Sequence, residues 1–343
     1  MFCQMNKNAI LVGKEEVEKI LYLLKMGNAY DNSRSVVVRE DGWIELPILM
    51  NVEGIKNKRL IVQETPQVRI KKLRDFLISR NWSEEEIKMA PRSWDRIGDI
   101  AVVKFPKGFK KEKEIGNILI EFQGVKTVLA QRGIQGTHRK PIVEVIAGRE
   151  DTVTMHKEGN VKYLLDLSEV MFSPGNTRER EKMGRIVKKD ECVLDMFAGI
   201  GYFSIPMAIS GAEVMAIEEN SESLRWLEEN IRLNGVEKHV FPVFNDCREF
   251  ISEWLENGGE LFDRVVMGHY DSIDFIEYAY FVVKPGGMIH LHEVRSENDP
   301  TQSYKKLNLV AENLKIDIEI IGQRYVKGYS PGTSHLVTDI RKK

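Results

Sequence analysis

Apolar and polar positions follow three different rhythms along the chain. Over residues 1–68, an AILV run, the amphipathic EEVEKILYLLKMG, then SVVVRED and WIELPIL predict a small N-terminal α/β module without recognisable chemistry. Over 69–165, the helix-like VRIKKLRDFLISRN leads into the apolar runs DIAVVKF, GNILIEF, TVLAQR and IVEVIAG. Gly- and Lys-rich turns separate these runs, the pattern of a mixed α+β domain. Over 166–343 the rhythm becomes strand, Gly-rich turn, helix and acidic residue, repeated through CVLDMFAGIGYFSIPMA, AEVMAIEEN, SLRWLEENIRLNG, HVFPVFNDCREF, RVVMGHY and GGMIHLHEV. That alternation predicts an α/β fold, a parallel sheet flanked by helices.

The length of 343 residues fits two or three domains, and 42% hydrophobic with 30% charged residues excludes disorder and collagen-like structure. No leader is read in MFCQMNKNAILVGKEEVEKIL, and charges interrupt every long apolar stretch, so we expect a cytoplasmic protein with no membrane partner. Cys3, Cys192 and Cys247 stand alone, without C-x-x-C, and the seven histidines form no H-E-x-x-H. Neither a disulfide scaffold nor a metal site is expected.

The formal charge of −2 hides a local asymmetry. Between Lys104 and Lys140, nine Lys or Arg face three acids, whereas residues 190–299 carry 22 acids against seven bases. A polyanionic partner is therefore expected on the middle domain. A second basic run, Arg178, Arg180, Lys182, Arg185, Lys188 and Lys189, precedes the Gly-rich strand.

The most informative segment is Val193-Leu194-Asp195-Met196-Phe197-Ala198-Gly199-Ile200-Gly201, an apolar strand that ends in an acid and a G-x-G turn before a helix. Glycines there let backbone approach a ligand at the carboxyl end of the strand. The next strand ends in Glu218, placed to accept hydrogen bonds from a ribose diol, and the third closes on Asp246. Ser204 stands where a dinucleotide fingerprint has its third glycine, so an adenosyl ligand without phosphates fits better than a dinucleotide. Pro206, a few residues into the following helix, is expected to forfeit one hydrogen bond and bend it.

D-x-F-x-G-x-G followed by Glu218 and Asp246 resembles the S-adenosylmethionine site of Rossmann-like methyltransferases. WDRIGDIAVV (94–103), GIQGTHRKPIVEVIAG, VMFSPGNTRERE (170–181), DMFAGIGYFSIP and NDCRE together resemble the archaeal and eukaryotic enzymes that modify the guanosine just 3′ of the tRNA anticodon. The resemblance covers most of residues 90–343. It implies a Rossmann-like S-adenosylmethionine-dependent transferase domain (166–343) behind an α+β tRNA-binding domain (69–165) and the N-terminal module. One branch of the group methylates the guanine ring nitrogen; the other builds wybutosine by transferring a 3-amino-3-carboxypropyl group. Methylating members have Asn-Leu-Pro or Asn-Pro-Pro where this chain has Met267-Gly268-His269-Tyr270. That segment resembles the aminocarboxypropyltransferase, as do Met171 to Asn176, Ile289-His290-Leu291-His292-Glu293 and Tyr329-Ser330-Pro331-Gly332 with His335, although Ser334 replaces an aromatic and His269 a more usual Tyr.

The resemblance implies transfer of the aminocarboxypropyl group to the tricyclic wybutosine-precursor base of tRNA(Phe), with methylthioadenosine released. The runner-up is the guanine-N1 methyltransferase of the same group, and a third reading is a non-catalytic tRNA-binding protein. Glu218 would hold the ribose, and the Asp246 carboxylate and Cys247 backbone the adenine. Phe197, Gly199 and Gly201 would shape the wall beside Asp195, while Ser173 and Arg180 would hold the tail carboxylate, Arg180 bidentately. His269 is the first choice of general base among His269, His290, His292 and His335. Lys104, Lys107, Lys110, Lys111, Arg132, Arg139 and Lys140, with His138, are the expected contacts to the anticodon stem-loop. A monomer is expected.

Overall fold

A computed structural model describes residues 8–31, 34–39, 41–50, 59–63, 73–270, 272–299, 301–330 and 332–343. Cys3, the expected boundary at 68/69, Asp271 of the MGHYDS segment and Pro331 lie outside the described residues. The chain divides into two compact units, Met1–Met89 and Ala90–Lys343.

In the first unit, β1 (Asn8–Val12), β2 (Val37–Val38), β3 (Ile44–Pro47) and β4 (Arg59–Val62) form an antiparallel sheet in the order β2-β3-β1-β4. Helix α1 (Val17–Met26) buries Ile20 and Leu24, one turn apart, in a core with Ile10, Val12, Leu46 and Ile48. Helices α2 (Leu73–Ser79) and α3 (Glu84–Met89) complete the described part.

The second unit begins with β5 (Trp94–Ile97), β6 (Ile100–Val103), α4 (Glu112–Gln123), β7 (Thr127–Gln135) and β8 (Lys140–Gly148), a four-stranded sheet in sequence order with α4 packed on β7 and β8. The run GNILIEF belongs to α4 and not to a strand. Its buried Ile115, Ile118 and Leu119 recur at helical spacing, and Gly124 ends it in the left-handed conformation. The hairpin β9 (Val153–Glu158) and β10 (Val161–Asp166) follows.

The remaining elements are α5 (Thr177–Ile186), β11 (Cys192–Asp195), α6 (Ser204–Ile209), β12 (Glu213–Glu218), α7 (Ser221–Asn234), β13 (Val240–Phe244), α8 (Cys247–Glu256), β14 (Phe262–Met267), α9 (Ile276–Val282), β15 (Val283–Ser296), α10 (Gln302–Leu314), β16 (Ile318–Ser330) and β17 (Thr333–Lys342). They build a seven-stranded sheet in the order β13-β12-β11-β14-β15-β17-β16, parallel except where β17 joins β15 and β16. This is the Rossmann-like arrangement expected. The order reverses at β11, so a crevice opens at its carboxyl end, between β11 and β14. Pro206 is the third residue of α6; Ile205 N and Met207 N on either side bond to the carbonyls of Gly201 and Phe203, so the proline forfeits the expected bond to Tyr202 O, which accepts from the Tyr163 hydroxyl at 3.1 Å instead.

One core cluster runs from Ile97, Ile100 and Leu129 through Tyr163 and Leu165 to Val193, Val214 and Val266, packing the smaller sheet and the hairpin onto the larger sheet. Asn230 of α7 serves the hairpin's edge. Its Oδ1 accepts from Leu164 N at 2.6 Å, and its Nδ2 donates to the carbonyls of Leu164 and, in the glycine loop, Ile200. Asn234, one turn on, brackets Lys162 in the same way. Among the described residues no helix is long and apolar enough to cross a membrane.

Candidate active site

The end of β11 is shaped by two glycines in the left-handed region, Gly199 (φ 57°) and Gly201 (φ 96°). A Cβ on Gly199 would meet the Tyr202 ring at 2.8 Å, and one on Gly201 would meet Ile205 at 2.6 Å, so backbone alone fits both positions. Asp195 is fully buried beneath this loop; Ser204 Oγ donates to it at 2.7 Å. Burial raises its carboxyl to about 6, against the donors Ser204 and Phe197.

Glu218 closes β12 beside the loop. Its two oxygens accept from Gly199 N at 2.7 Å and Asn220 N at 2.8 Å, so the carboxylate is aimed while lone pairs remain for a ligand diol. Burial raises it above the ordinary carboxylate range. Asp246 caps α8 through Arg248 N at 2.7 Å and is also ion-paired with the Arg248 guanidinium, which lies 5.2 Å from the Phe275 ring. Its carboxylate is thus already committed, whereas Asn245, Cys247 and Phe275 line the same space. Burial pushes the Cys247 thiol up to about 12, in keeping with a neutral filler.

Glu218, Asp246, Gly199 and Phe275 surround a cavity of about 380 Å³. A second, of about 590 Å³, opens between the smaller sheet and the end of β16, lined among others by Lys104, Arg139, Ser173, Arg180, Lys327 and Tyr329. Phe197, Tyr202, Gly268 and His269 border both, so the two spaces adjoin. The first suits an adenosine, with a diol acceptor and no phosphate cradle. The second has room for an amino-acid tail and a nucleobase.

Arg180 is buried, and its fork is closed by Glu158, Nε at 2.7 Å and Nη2 at 2.6 Å; Nη2 also donates to Ser173 O at 3.1 Å. Burial opposes the charge of Glu158, but donors from His156, Arg180 and Thr177 outweigh it and hold the carboxyl down at about 2. The expected bidentate grip of Arg180 on a ligand is therefore already taken by a protein carboxylate. Ser173 Oγ accepts from Lys327 Nζ, a contact the sequence reading missed, as it missed Tyr202, Tyr270, Arg248 and Phe275.

The four histidines separate. His290 donates from Nδ1 to Asp339 at 2.6 Å, while its Nε2 accepts from Arg264, inside a buried network that continues through Arg324 to Glu179. His292 and His335 are buried and face each other at 3.1 Å, and burial carries His335 down to about 4. His269 borders both cavities, with its ring 5.7 Å from Phe197.

On the basic face, Arg132 is held by Glu112 at 2.5 Å and Glu144 at 2.6 Å. Lys111 sits 3.4 Å from Glu114, Lys140 3.9 Å from Glu222 and His138 3.6 Å from Glu219. Lys104, Lys107 and Lys110 are exposed, and Arg139 reaches the Tyr329 hydroxyl at 3.5 Å on the cavity rim.

Two family models match the chain, a TRM5/TYW2 methyltransferase domain over residues 154–320 and a TYW2 N-terminal domain over residues 73–152. The chain is 37% identical to a tRNA(Phe) (4-demethylwyosine(37)-C(7)) aminocarboxypropyltransferase from Pyrococcus horikoshii, over 77% of this chain and 94% of that protein. The structure of P. horikoshii TYW2 in complex with MeSAdo superposes with a TM-score of 0.65 at 35% identity, covering 78% of this chain and 97% of that one. Trm5b from Pyrococcus abyssi gives 0.71 at 29% identity, covering 98% and 99%.

Proposed function

Because the chain belongs to the TRM5/TYW2 family, we propose that it is a transferase that moves the 3-amino-3-carboxypropyl group of S-adenosylmethionine to the tricyclic wybutosine precursor 3′ of the anticodon in tRNA(Phe). The observation that carries this is the pair of adjoining cavities. An adenosine wall with Glu218 leads past Phe197 and His269 into a larger space that holds a serine, cations and aromatic rings. S-adenosylmethionine, when bound, would supply a sulfonium whose side-chain carbon next to sulfur is open to the base carbon, with methylthioadenosine, which keeps the electron pair of the broken carbon–sulfur bond, as the leaving group.

The protein's own work is orientation. Glu218 fixes the ribose end, Phe197 and Tyr202 wall the junction, and His269 stands where a proton released from the base carbon after bond formation can be accepted. Lys104, Lys107 and Arg139 border the path of the RNA, and a splayed anticodon-loop base enters the larger cavity, whose wall includes Tyr270 and Tyr329 in edge-to-face contact at 5.1 Å.

One observation favours a second reading, guanine-N1 methylation: Trm5b spans nearly the whole chain, N-terminal unit included. Incubation with tRNA(Phe) bearing the precursor base separates the two. Methylthioadenosine and a base carrying the amino-acid group are expected; S-adenosylhomocysteine and a methylated guanine would overturn the proposal, and an unmodified tRNA would leave a binding protein.

A further inference from the structure

Four cations line the larger cavity, and they are not equivalent. Lys104 is exposed at its rim, Arg139 is turned toward the Tyr329 hydroxyl, and Arg180 is neutralised by Glu158. Lys327 differs from all three. It projects from β16 into the cavity, its ammonium donates to Ser173 Oγ, and among the described residues no carboxylate lies within ion-pair distance of it. Burial, then the nearby Arg180 charge, hold it below the ordinary lysine range. Asp95, on the same cavity wall, acts on the ammonium only from beyond ion-pair distance, so this half-buried charge has no carboxylate in contact, and a hydroxyl alone does not replace one.

The backbone makes room for this side chain. A Cβ on Gly175, in the turn after Ser173, would sit 2.8 Å from Lys327 Cδ. Register places Lys327 opposite His335, whose ring packs on Tyr270 at 4.7 Å, so the lysine stem is set by the same layer that walls the base-sized space.

We propose that the Lys327 ammonium, with Ser173 Oγ beside it, anchors the carboxylate of the amino-acid tail, and that Arg180 is a positioning residue holding the Ser173 turn through its carbonyl. This rests on the proposed function, because only a bound sulfonium amino acid brings that carboxylate here. It also gives direction to the chemistry: a tail tethered in the larger cavity, and not folded into the adenosine pocket, presents its carbon to the incoming base.

Calorimetric titration of the full chain with three probes tests the assignment: S-adenosylmethionine, its decarboxylated form, and methylthioadenosine, which lacks the tail. The wild type should prefer S-adenosylmethionine over the decarboxylated form. Lys327→Met should weaken S-adenosylmethionine roughly 10- to 100-fold, the weight of a charge-assisted contact, erase that preference, and leave methylthioadenosine within about twofold. Lys327→Arg should restore part of the preference, and Ser173→Ala should lower it less than Lys327→Met does. A Lys327→Met protein that keeps the preference overturns the assignment, and so does equal weakening of all three probes. Loss of tRNA affinity with S-adenosylmethionine binding intact would overturn it too, and would identify the anion as phosphate. Product analysis is independent: S-adenosylhomocysteine from the wild type would sink the transfer reading while a Lys327-dependent carboxylate preference still stood.

Discussion

Glu158 of β9 and Arg180 of α5 form a two-pronged ion pair, and both side chains are buried, with 6% and 3% exposure. The guanidinium also lies 4.9 Å from the Phe172 ring and 5.7 Å from Tyr202, so this pair ties the hairpin to the cavity wall. Removal of one partner strands a buried charge. Glu158→Ala should destabilise the second unit by about 3–5 kcal/mol, and Glu158→Met/Arg180→Met by clearly less, as read by urea denaturation. The sign with pH follows from a carboxyl held at about 2, below its ordinary 4.5: the stabilisation is complete above pH 4.5 and is lost as pH falls toward 2.

Asp195 works in the opposite sense. Its folded-state carboxyl, raised from 3.8 to about 6, contributes stability that is full below pH 3.8 and disappears as pH rises through 6. Between pH 5 and pH 8 the wild type should lose roughly 1–1.5 kcal/mol from this group, and Asp195→Asn should not show that loss. Parallel denaturation curves for the two proteins across that range would refute it.

Glu218 is the proposed holder of the ribose. Glu218→Ala should weaken methylthioadenosine binding about 10- to 100-fold, the worth of hydrogen bonds to a charged acceptor. Since burial raises this carboxyl, wild-type affinity should fall as pH drops into its titration, earlier than for an ordinary glutamate, while Glu218→Gln stays weak and flat. Calorimetry at several pH values reads both.

The basic face should divide according to its partners. Arg132, clamped by Glu112 and Glu144, should be nearly neutral for tRNA affinity when changed to Ala. Lys104→Ala and Lys107→Ala should each reduce the slope of log affinity against log salt by about 1. A large loss from Arg132→Ala with none from the lysines would reverse this view of the RNA path.

The strand-end acids and the glycine turn were legible because spacing alone places them. Parallel strands put Asp195, Glu218 and Asp246 at carboxyl ends, and the glycine turn follows from the same rule. The Lys327–Ser173 contact was not. Lys327 lies 154 residues from Ser173, on the edge strand β16, and only the antiparallel register with β17 returns it to the crevice. Charge type misled as well: Arg180 looks like a ligand holder until Glu158, 22 residues away on a hairpin, is seen closing its fork. GNILIEF is apolar enough for a strand, yet its burial recurs with the helical period, a rhythm hidden by mixed local composition.

The single amide of Asn230 stands in for a missing neighbouring strand. By bonding Leu164 on one side and Ile200 on the other, it ties the hairpin to the glycine loop. Loss of that amide would therefore release the hairpin and the loop together, so one substitution there would mimic a double lesion.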